Sequence, residues 1–91
     1  MANLVYSARA RVSLQSLDDY LRRRDSKVAD ALLTEIEGLC ELIADFPAMG
    51  RRLPDIGLRY HVSRKFRYRV IYRYTENTVQ ILDILHPRAT P

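Results

Sequence analysis

The chain has 91 residues, of which 47% are hydrophobic and 29% charged. This composition is typical of one folded domain with a single core, so we expect residues 1–91 to form one domain rather than a disordered segment. No apolar run reaches the length of a membrane span, the N-terminus lacks the pattern of a signal peptide, and the single cysteine, Cys40, excludes an internal disulfide. These features predict a cytoplasmic protein without a membrane partner.

The formal net charge of +4 is unevenly distributed along the chain. Residues 1–50 contain six Lys and Arg against eight Asp and Glu, a net charge of −2. Residues 51–91 contain nine Lys and Arg against three Asp and Glu, a net charge of +6. A basic surface favours an anionic partner, either a nucleic acid or an acidic protein segment, and charge alone does not choose between them.

The first half of the sequence predicts one strand and two helices. The apolar run "NLVYS" is typical of a short strand, and residues 8–24 then have apolar side chains at alternating spacings of three and four, which predicts an amphipathic helix. Asp25 and Ser26 provide a break and an N-cap. A second helix is predicted from there to about Phe46, and Pro47 ends it. Its apolar stripe, at alternating spacings of three and four, is Ala29, Leu32, Ile36, Leu39 and Ile43, widened by Leu33, Cys40 and Ala44. Two helices with so short a connection form an antiparallel hairpin.

The second half predicts an antiparallel sheet. Residues 47–57, "PAMGRRLPDIG", are predicted to form turns. Three strand-like segments follow: "LRYHVS", "FRYRVIYRY" and "VQILDILH", and "TENT" is a candidate hairpin turn between the last two. We therefore predict an α+β fold of order β-α-α-β-β-β, with the N-terminal helical hairpin packed on one face of a small antiparallel sheet. The other face of that sheet would be open.

The stretch "FRYRVIYRY", residues 66–74, alternates aromatic or aliphatic residues with arginine. If its aromatic residues meet the helices, Arg67, Arg69 and Arg73 project from the open face. The same alternation in residues 58–63 turns Leu58, Tyr60 and Val62 toward the helices. Arg59 and His61 would then face outward. The last strand is apolar on both sides, so its alternation leaves the direction of His86 open.

Three interpretations of the arginines remain at this point. A phosphate-handling site would use the guanidinium fork, and RNA cleavage would also need an acid and a base, for which His61 and His86 are the only histidines. A docking face for a protein partner would need no chemistry. A solvated face would use the arginine stems to cover apolar surface. For the clustered set, binding is favoured over solvation. The sequence has no glycine-rich phosphate motif and no metal-ligand spacing, so no cofactor and no metal are expected.

Several segments of the chain resemble, in order, the ParE branch of the RelE/ParE superfamily of bacterial toxins. They are "SARARVSLQSLDDYL", "LIADFPAMGRRLPDIGLR", "YRVIYR" and "VQILDILHPR". The resemblance implies a helical hairpin against an antiparallel sheet. It also implies growth arrest by a toxin from a toxin–antitoxin module, of the kind that stabilises plasmids. A cognate antitoxin would neutralise it by wrapping its C-terminal segment around the toxin, in an assembly expected to be 2:2.

The branch of the superfamily implies the mechanism. RelE-like members are ribosome-dependent mRNA endonucleases that use basic residues and, commonly, a C-terminal Tyr or His-Tyr. ParE-like members poison DNA gyrase. Arg59, Arg69 and His86 can be matched to ribonuclease positions, but no tyrosine follows His86. We therefore expect a gyrase-binding toxin without catalytic residues. The alternatives are an mRNA endonuclease and a non-toxic remnant that only binds its antitoxin. The expected target-binding residues are Arg59, Arg67, Arg69, Arg73, His86 and Arg88.

Overall fold

A computed structural model describes residues 1–54 and 56–88 of the chain; Asp55, in the predicted turn region, lies outside them. The elements in chain order are β1 (Asn3–Tyr6), α1 (Ala8–Arg22), α2 (Ser26–Asp45), β2 (Arg51–Leu53), β3 (Leu58–Val62), β4 (Arg69–Thr75) and β5 (Thr78–Leu85). The strands form one sheet in the order β1-β5-β4-β3-β2. Among the described residues, neither helix combines the length and the apolar character needed to cross a membrane.

The α+β fold class is confirmed, and the sheet differs from the prediction in two details. β2 lies within the region predicted as turns and pairs antiparallel with β3. Three residues are too few for an alternation of apolar and polar side chains to stand out. β1 pairs parallel with β5, whereas the remaining pairs are antiparallel. A parallel pair requires a long crossover, and here the helical hairpin and three strands separate β1 from β5 along the chain.

Side chains fix the start of each helix. The Ser7 hydroxyl accepts the Ala10 N–H at 3.0 Å and donates to the Leu82 carbonyl at 2.9 Å, which ties the start of α1 to β5. The Asp25 carboxylate accepts the N–H groups of Lys27 and Val28 at 3.0 and 3.3 Å. The predicted break and N-cap between the helices are therefore confirmed.

The core lies between the helices and one face of the sheet. Its fully buried members include Leu32, Ile36 and Ile43 of α2, Val70 and Tyr72 of β4, and Val79 and Ile81 of β5. Tyr68, Val70 and Tyr72 are buried as predicted, but Tyr74 at the far end of β4 is 44% exposed. The predicted hairpin turn is also confirmed, because Glu76 and Asn77 have left-handed φ angles of 49° and 58° between β4 and β5.

Cys40 is a buried core residue, as its place on the apolar stripe of α2 predicts. Burial raises the pKa of its thiol to about 11, with smaller increases from the charges of Glu37 and Glu41. A hydrogen bond between the thiol and the Tyr6 hydroxyl acts in the opposite direction. The thiol therefore stays protonated at neutral pH and behaves as a small apolar side chain.

Glu35 of α2 anchors the turn between β3 and β4. Its carboxylate accepts the backbone N–H groups of Lys65 at 2.9 Å and Phe66 at 2.8 Å. Burial opposes ionisation of this carboxyl. The two N–H groups, the Ser63 hydroxyl and the charge of Lys65 outweigh that effect and lower its pKa. The ionised carboxylate thus helps to hold the turn against α2.

This lowered pKa predicts a pH-dependent contribution to stability. The contribution is fully present above the ordinary pKa of glutamate and is lost as the pH falls through the lowered value. We expect Glu35→Gln to reduce the free energy of unfolding near neutral pH, and the difference from the natural protein to shrink as the pH falls below the ordinary pKa of glutamate. Urea unfolding at several pH values measures this, with Glu41→Gln on the exposed side of α2 as control. A difference that stays constant with pH would contradict the assignment.

Candidate functional site

The sheet face that points away from the helices carries an apolar floor. Directly paired residues of neighbouring strands project on the same side of a sheet. Tyr60 pairs with Ile71 and Val62 pairs with Arg69, so these side chains lie opposite the buried Val70. With Leu53 and Leu85 they line a shallow groove of about 260 Å³. We call this side of the sheet the open face; it comprises Arg51, Leu53, Tyr60, Val62, Arg69, Ile71, Arg73 and Leu85.

The predicted outward direction of two arginines agrees with the structure. Arg69 and Arg73 flank Ile71 on β4; they are four positions apart, which places their Cα atoms about 13 Å from each other along the strand. Arg51 adds a third guanidinium, since it pairs with Tyr60 on the neighbouring strand. The carboxylate of Asp83 accepts a hydrogen bond from Ser13 of α1 at 2.7 Å, which draws it toward the helix. The open face thus combines apolar surface with a row of positive charges.

Arg59 does not project from the open face, so this part of the prediction is wrong. It pairs with the buried Tyr72 and therefore lies on the helix side of the sheet. Its Nη1 donates to the carbonyls of Gly50 at 2.9 Å and Ala48 at 3.3 Å. The turn at residues 47–50, rather than a helix, covers this part of the sheet, and its carbonyl groups need donors. Arg59 supplies them and thereby holds the turn in place.

His61 also lies on the helix side, contrary to the prediction, because it pairs with Val70. Its Nδ1 accepts the N–H of Val62 at 2.9 Å. It sits at the edge of the sheet, beside the second half of α2. At that edge it also lines a depression with Arg51, Tyr60 and Val62.

Arg67 lies in a turn and not on a strand. Its φ is 66°, in the left-handed region, and β4 begins only at Arg69. Ser63 closes this turn, since its N–H donates to the Tyr68 carbonyl at 2.8 Å and its hydroxyl accepts the Tyr68 N–H at 3.0 Å. The strand predicted over residues 66–74 therefore starts three residues too early. The Arg67 side chain lies beside His61 instead of beside Arg69 and Arg73.

The tail residues His86 and Arg88 lie at the end of the sheet where β4 begins. The His86 ring meets the ring of Tyr68 edge to face, with centroids 5.3 Å apart and an interplanar angle of 80°. The Nδ1 of His86 accepts the Arg88 N–H at 3.0 Å, so the neutral ring carries its proton on Nε2. Arg69 pairs with Leu85, the residue before His86, which places the tail next to one end of the open face.

The three candidate ribonuclease residues do not converge. Arg59 and Arg69 lie on opposite sides of the sheet, and the Arg59 guanidinium is bound to the turn carbonyls. Cleavage of a phosphodiester would need the cationic groups and the acid or base to meet around one phosphate. The arrangement favours binding over catalysis.

The sequence interpretation misses four residues of the open face: Arg51, Leu53, Tyr60 and Val62. It places Arg51 and Leu53 in turns and Tyr60 and Val62 in the core. Alternation defines two sets of side chains but not which set meets the helices. Tyr60 and Val62 lie on the uncovered side because of how β3 pairs with β4, and the sequence does not reveal that register.

The comparisons with known proteins agree with this fold. A family profile described as "ParE toxin of type II toxin-antitoxin system, parDE" matches residues 4–90. The chain is similar in structure to the "Chromosomal ParDE TA system from P. aeruginosa", with a TM-score of 0.81 and 18% identity over 94% of this chain and 96% of that chain. It is also similar to the "intact E. coli RelBE toxin-antitoxin complex", with a TM-score of 0.64 and 15% identity over 100% of both chains. No curated protein matches the sequence. At these identities the two structures support the fold alone.

Proposed function

The chain belongs to the ParE toxin family of type II toxin–antitoxin systems, and from this premise we propose that it inhibits DNA gyrase by binding it, without chemistry of its own. The observation that carries the proposal is the open face, where Arg69 and Arg73 flank the apolar Ile71 and the groove beside it. Guanidinium groups around apolar surface are typical of protein docking sites. The separation of Arg59 from Arg69 across the sheet also supports binding rather than RNA cleavage.

The proposed target-binding surface consists of the open face and the tail. Arg69 and Arg73 supply charge on either side of Ile71, and His86 and Arg88 supply polar groups at the end next to Arg69. Arg59 acts as a positioning residue through its bonds to Ala48 and Gly50. Arg67, which the sequence also assigned to target binding, lies in the turn before β4 and lines a depression at the sheet edge with Arg51 and Tyr60.

The partner of a toxin from a type II module is an antitoxin. The proposal includes a C-terminal segment of that antitoxin wrapped around the toxin, in a 2:2 assembly in the cytoplasm, where gyrase acts. The basic second half of the chain, with its net charge of +6, suits an acidic segment. Such a segment would fold on binding, and the area it buries would offset the cost of ordering it.

Expression of the chain without its antitoxin tests the proposed function in cells. We expect growth arrest with DNA breaks and intact mRNA, because a poisoned gyrase leaves cleaved DNA while transcripts survive. RNA sequencing and a DNA-damage reporter measure the two outcomes, and co-expression of the antitoxin is the control. Transcripts cut within codons during arrest would contradict the proposal in favour of an mRNA endonuclease. Continued growth of cells that contain folded protein would indicate a chain that only binds its antitoxin.

A further inference from the structure

A depression of about 440 Å³ lies at the edge of the sheet, where β2 begins. The first residue of β2, Arg51, pairs with Tyr60 of β3. The next two residues of β3, His61 and Val62, lie beyond the start of β2, and no described strand pairs with them on that side. Side chains from both sides of the sheet therefore reach the same space at this free edge. We call this space the edge depression; its lining is Met49, Arg51, Tyr60, His61, Val62 and Arg67.

The edge depression collects hydrogen-bond donors from three parts of the chain. β2 supplies Arg51, and the turn before β4 supplies Arg67. β3 supplies the hydroxyl of Tyr60 and the ring of His61. The Nδ1 of His61 accepts the Val62 N–H at 2.9 Å, so the neutral ring presents its proton on Nε2. No described carboxylate lines the depression, and its positive charges are therefore not neutralised from within.

Both guanidinium groups of the edge depression are exposed and have no partner in the part of the chain that the structure describes. By contrast, the Arg59 guanidinium donates to two backbone carbonyls, and the Arg22 guanidinium binds two carboxylates. A guanidinium that the chain itself holds supports the fold, whereas one without a partner can bind a ligand. Arg51 and Arg67 belong to the second kind.

The backbone of Arg67 indicates a role other than support of the fold. Its φ of 66° lies in the left-handed region, which a residue with a Cβ adopts at a cost and glycine does not. The turn is closed by Ser63 and Tyr68 through hydrogen bonds that do not involve Arg67. What arginine adds at this position is therefore a positive charge in the edge depression.

The number of donors indicates the class of ligand. A carboxylate has two oxygens, and a single guanidinium fork matches both of them. Two guanidinium groups, a histidine N–H and a tyrosine hydroxyl offer more donors than a carboxylate accepts, and they suit the additional oxygens of a phosphate group. A volume of about 440 Å³ falls within the range of small-molecule sites, so the phosphate can carry an attached sugar.

We propose that the edge depression binds a phosphate group, carried either by the backbone of DNA or by a free nucleotide. Arg51 and Arg67 bind its oxygens through their guanidinium groups, and the Nε2–H of His61 and the Tyr60 hydroxyl donate further hydrogen bonds. The site goes beyond the proposed function, because its ligand is neither gyrase nor the antitoxin. Tyr60 and Val62 also line the groove of the open face, so the bound phosphate lies beside the surface proposed to bind gyrase.

Two-dimensional NMR of isotope-labelled toxin, free of antitoxin, tests the site with inorganic phosphate as the probe. At constant pH and ionic strength, we expect the signals of Arg51, Val62 and Arg67 to shift until they saturate, and acetate to shift them much less. Arg67→Gly should weaken phosphate binding by at least about tenfold. Its thermal midpoint should stay equal or rise, because glycine accepts the left-handed φ. Asn77→Gly, at the left-handed φ of 58° in the β4–β5 turn, should leave the phosphate affinity within about twofold of the natural value.

Arg51→Gln, on a strand, keeps the proposal falsifiable if Arg67→Gly does not fold, and it should weaken phosphate binding by a similar factor. Unshifted signals, equal shifts with acetate, or natural phosphate affinity in the folded variants would overturn the proposal. None of these measurements involves gyrase, so they decide the site even if the toxin does not inhibit that enzyme.

A fluorescein-labelled DNA duplex and ATP identify the source of the phosphate. If the source is DNA, Arg51→Gln should lower the slope of log affinity for the duplex against log salt concentration by about one. Arg9→Gln, an equal change of charge at an exposed position of α1, should leave that slope unchanged. If the source is a nucleotide, Arg51→Gln should weaken ATP binding and leave the slope for the duplex unchanged. Natural affinity of Arg51→Gln for both ligands would overturn the proposal.

Discussion

Replacing Arg73 by glutamate is expected to raise the concentration of toxin that half-inhibits gyrase by at least about tenfold, which corresponds to a loss of about 1.4 kcal/mol or more of binding free energy. Arg73 is exposed on the open face, toward the β4–β5 hairpin, and pairs with Gln80 of β5. Reversal of its charge replaces attraction to an anionic partner surface with repulsion. Supercoiling assays over a series of toxin concentrations measure the effect, and inhibition by the natural protein should weaken as salt is added.

Arg9→Glu is the matched control for this charge reversal. Arg9 is exposed in the first turn of α1, where a carboxylate is favoured by the helix dipole, so the variant should fold and inhibit as the natural protein does. Equal losses in both variants would show that inhibition follows net charge and not a particular face. If Arg73→Glu, with its fold verified by circular dichroism, inhibits gyrase as well as the natural protein does, the open face is not the gyrase-binding surface.

Replacing Gly50 by alanine is expected to reduce the free energy of unfolding by about 3 kcal/mol. An added Cβ would lie 2.5 Å from the Tyr72 hydroxyl oxygen and 2.9 Å from the Tyr60 carbonyl oxygen. The hydroxyl accepts the Gly50 N–H at 2.9 Å and donates to the Pro47 carbonyl at 2.6 Å. The substitution therefore overpacks a buried site and disturbs the hydrogen bonds that attach the 47–50 turn to the sheet. Urea unfolding at neutral pH measures the loss.

A double-mutant cycle with Tyr72→Phe isolates the contact behind this loss. Tyr72→Phe alone should cost about 1–3 kcal/mol, because the Gly50 N–H and the Pro47 carbonyl lose their partner. In that background Gly50→Ala should cost less than in the natural protein, since the closest atom is gone. Additive losses would contradict the proposed clash. Gly38→Ala is the comparison substitution, because its Cβ enters open space.

The sequence predicted the buried side of a helix or strand correctly where that element contacts the core on one side only. The spacing of Leu32, Ile36 and Ile43 predicted the buried side of α2, and the Asp25 cap predicted where that helix begins. The alternation around Val70 and Tyr72 predicted the buried side of β4. In these elements burial alone decides the pattern, so periodicity is sufficient.

Periodicity failed where a turn or the pairing register decides the orientation. Arg59 points toward the helix side, where it donates hydrogen bonds to the carbonyls of Ala48 and Gly50. No local sequence pattern predicts that contact. Arg67 continues the alternation of β4 in sequence, yet its left-handed backbone places it in the turn closed by Ser63. The parallel pairing of β1 with β5 joins residues more than seventy positions apart, such as Asn3 and Thr78. Such contacts arise from the tertiary structure.

The wrong predictions of side-chain direction affect the candidate site more than they affect the fold. Arg59 and Arg69 have equivalent places in the sequence alternation, but they lie on opposite sides of the sheet. Two residues of the ribonuclease alternative are therefore separated. The open face instead gained Tyr60 and Val62 as apolar floor. The arginines that suggested one site therefore have different positions: Arg69 and Arg73 lie on the open face, Arg59 binds the 47–50 turn, and Arg67 lies in the turn before β4.

The most direct test of the central claim adds the purified toxin, free of antitoxin, to DNA gyrase, relaxed plasmid and ATP. We expect loss of supercoiling together with linear plasmid after protease treatment, because a protein that binds gyrase in this way traps its cleaved DNA. Addition of the antitoxin before the toxin should restore supercoiling. Undiminished supercoiling in the presence of excess folded toxin would contradict gyrase as the target.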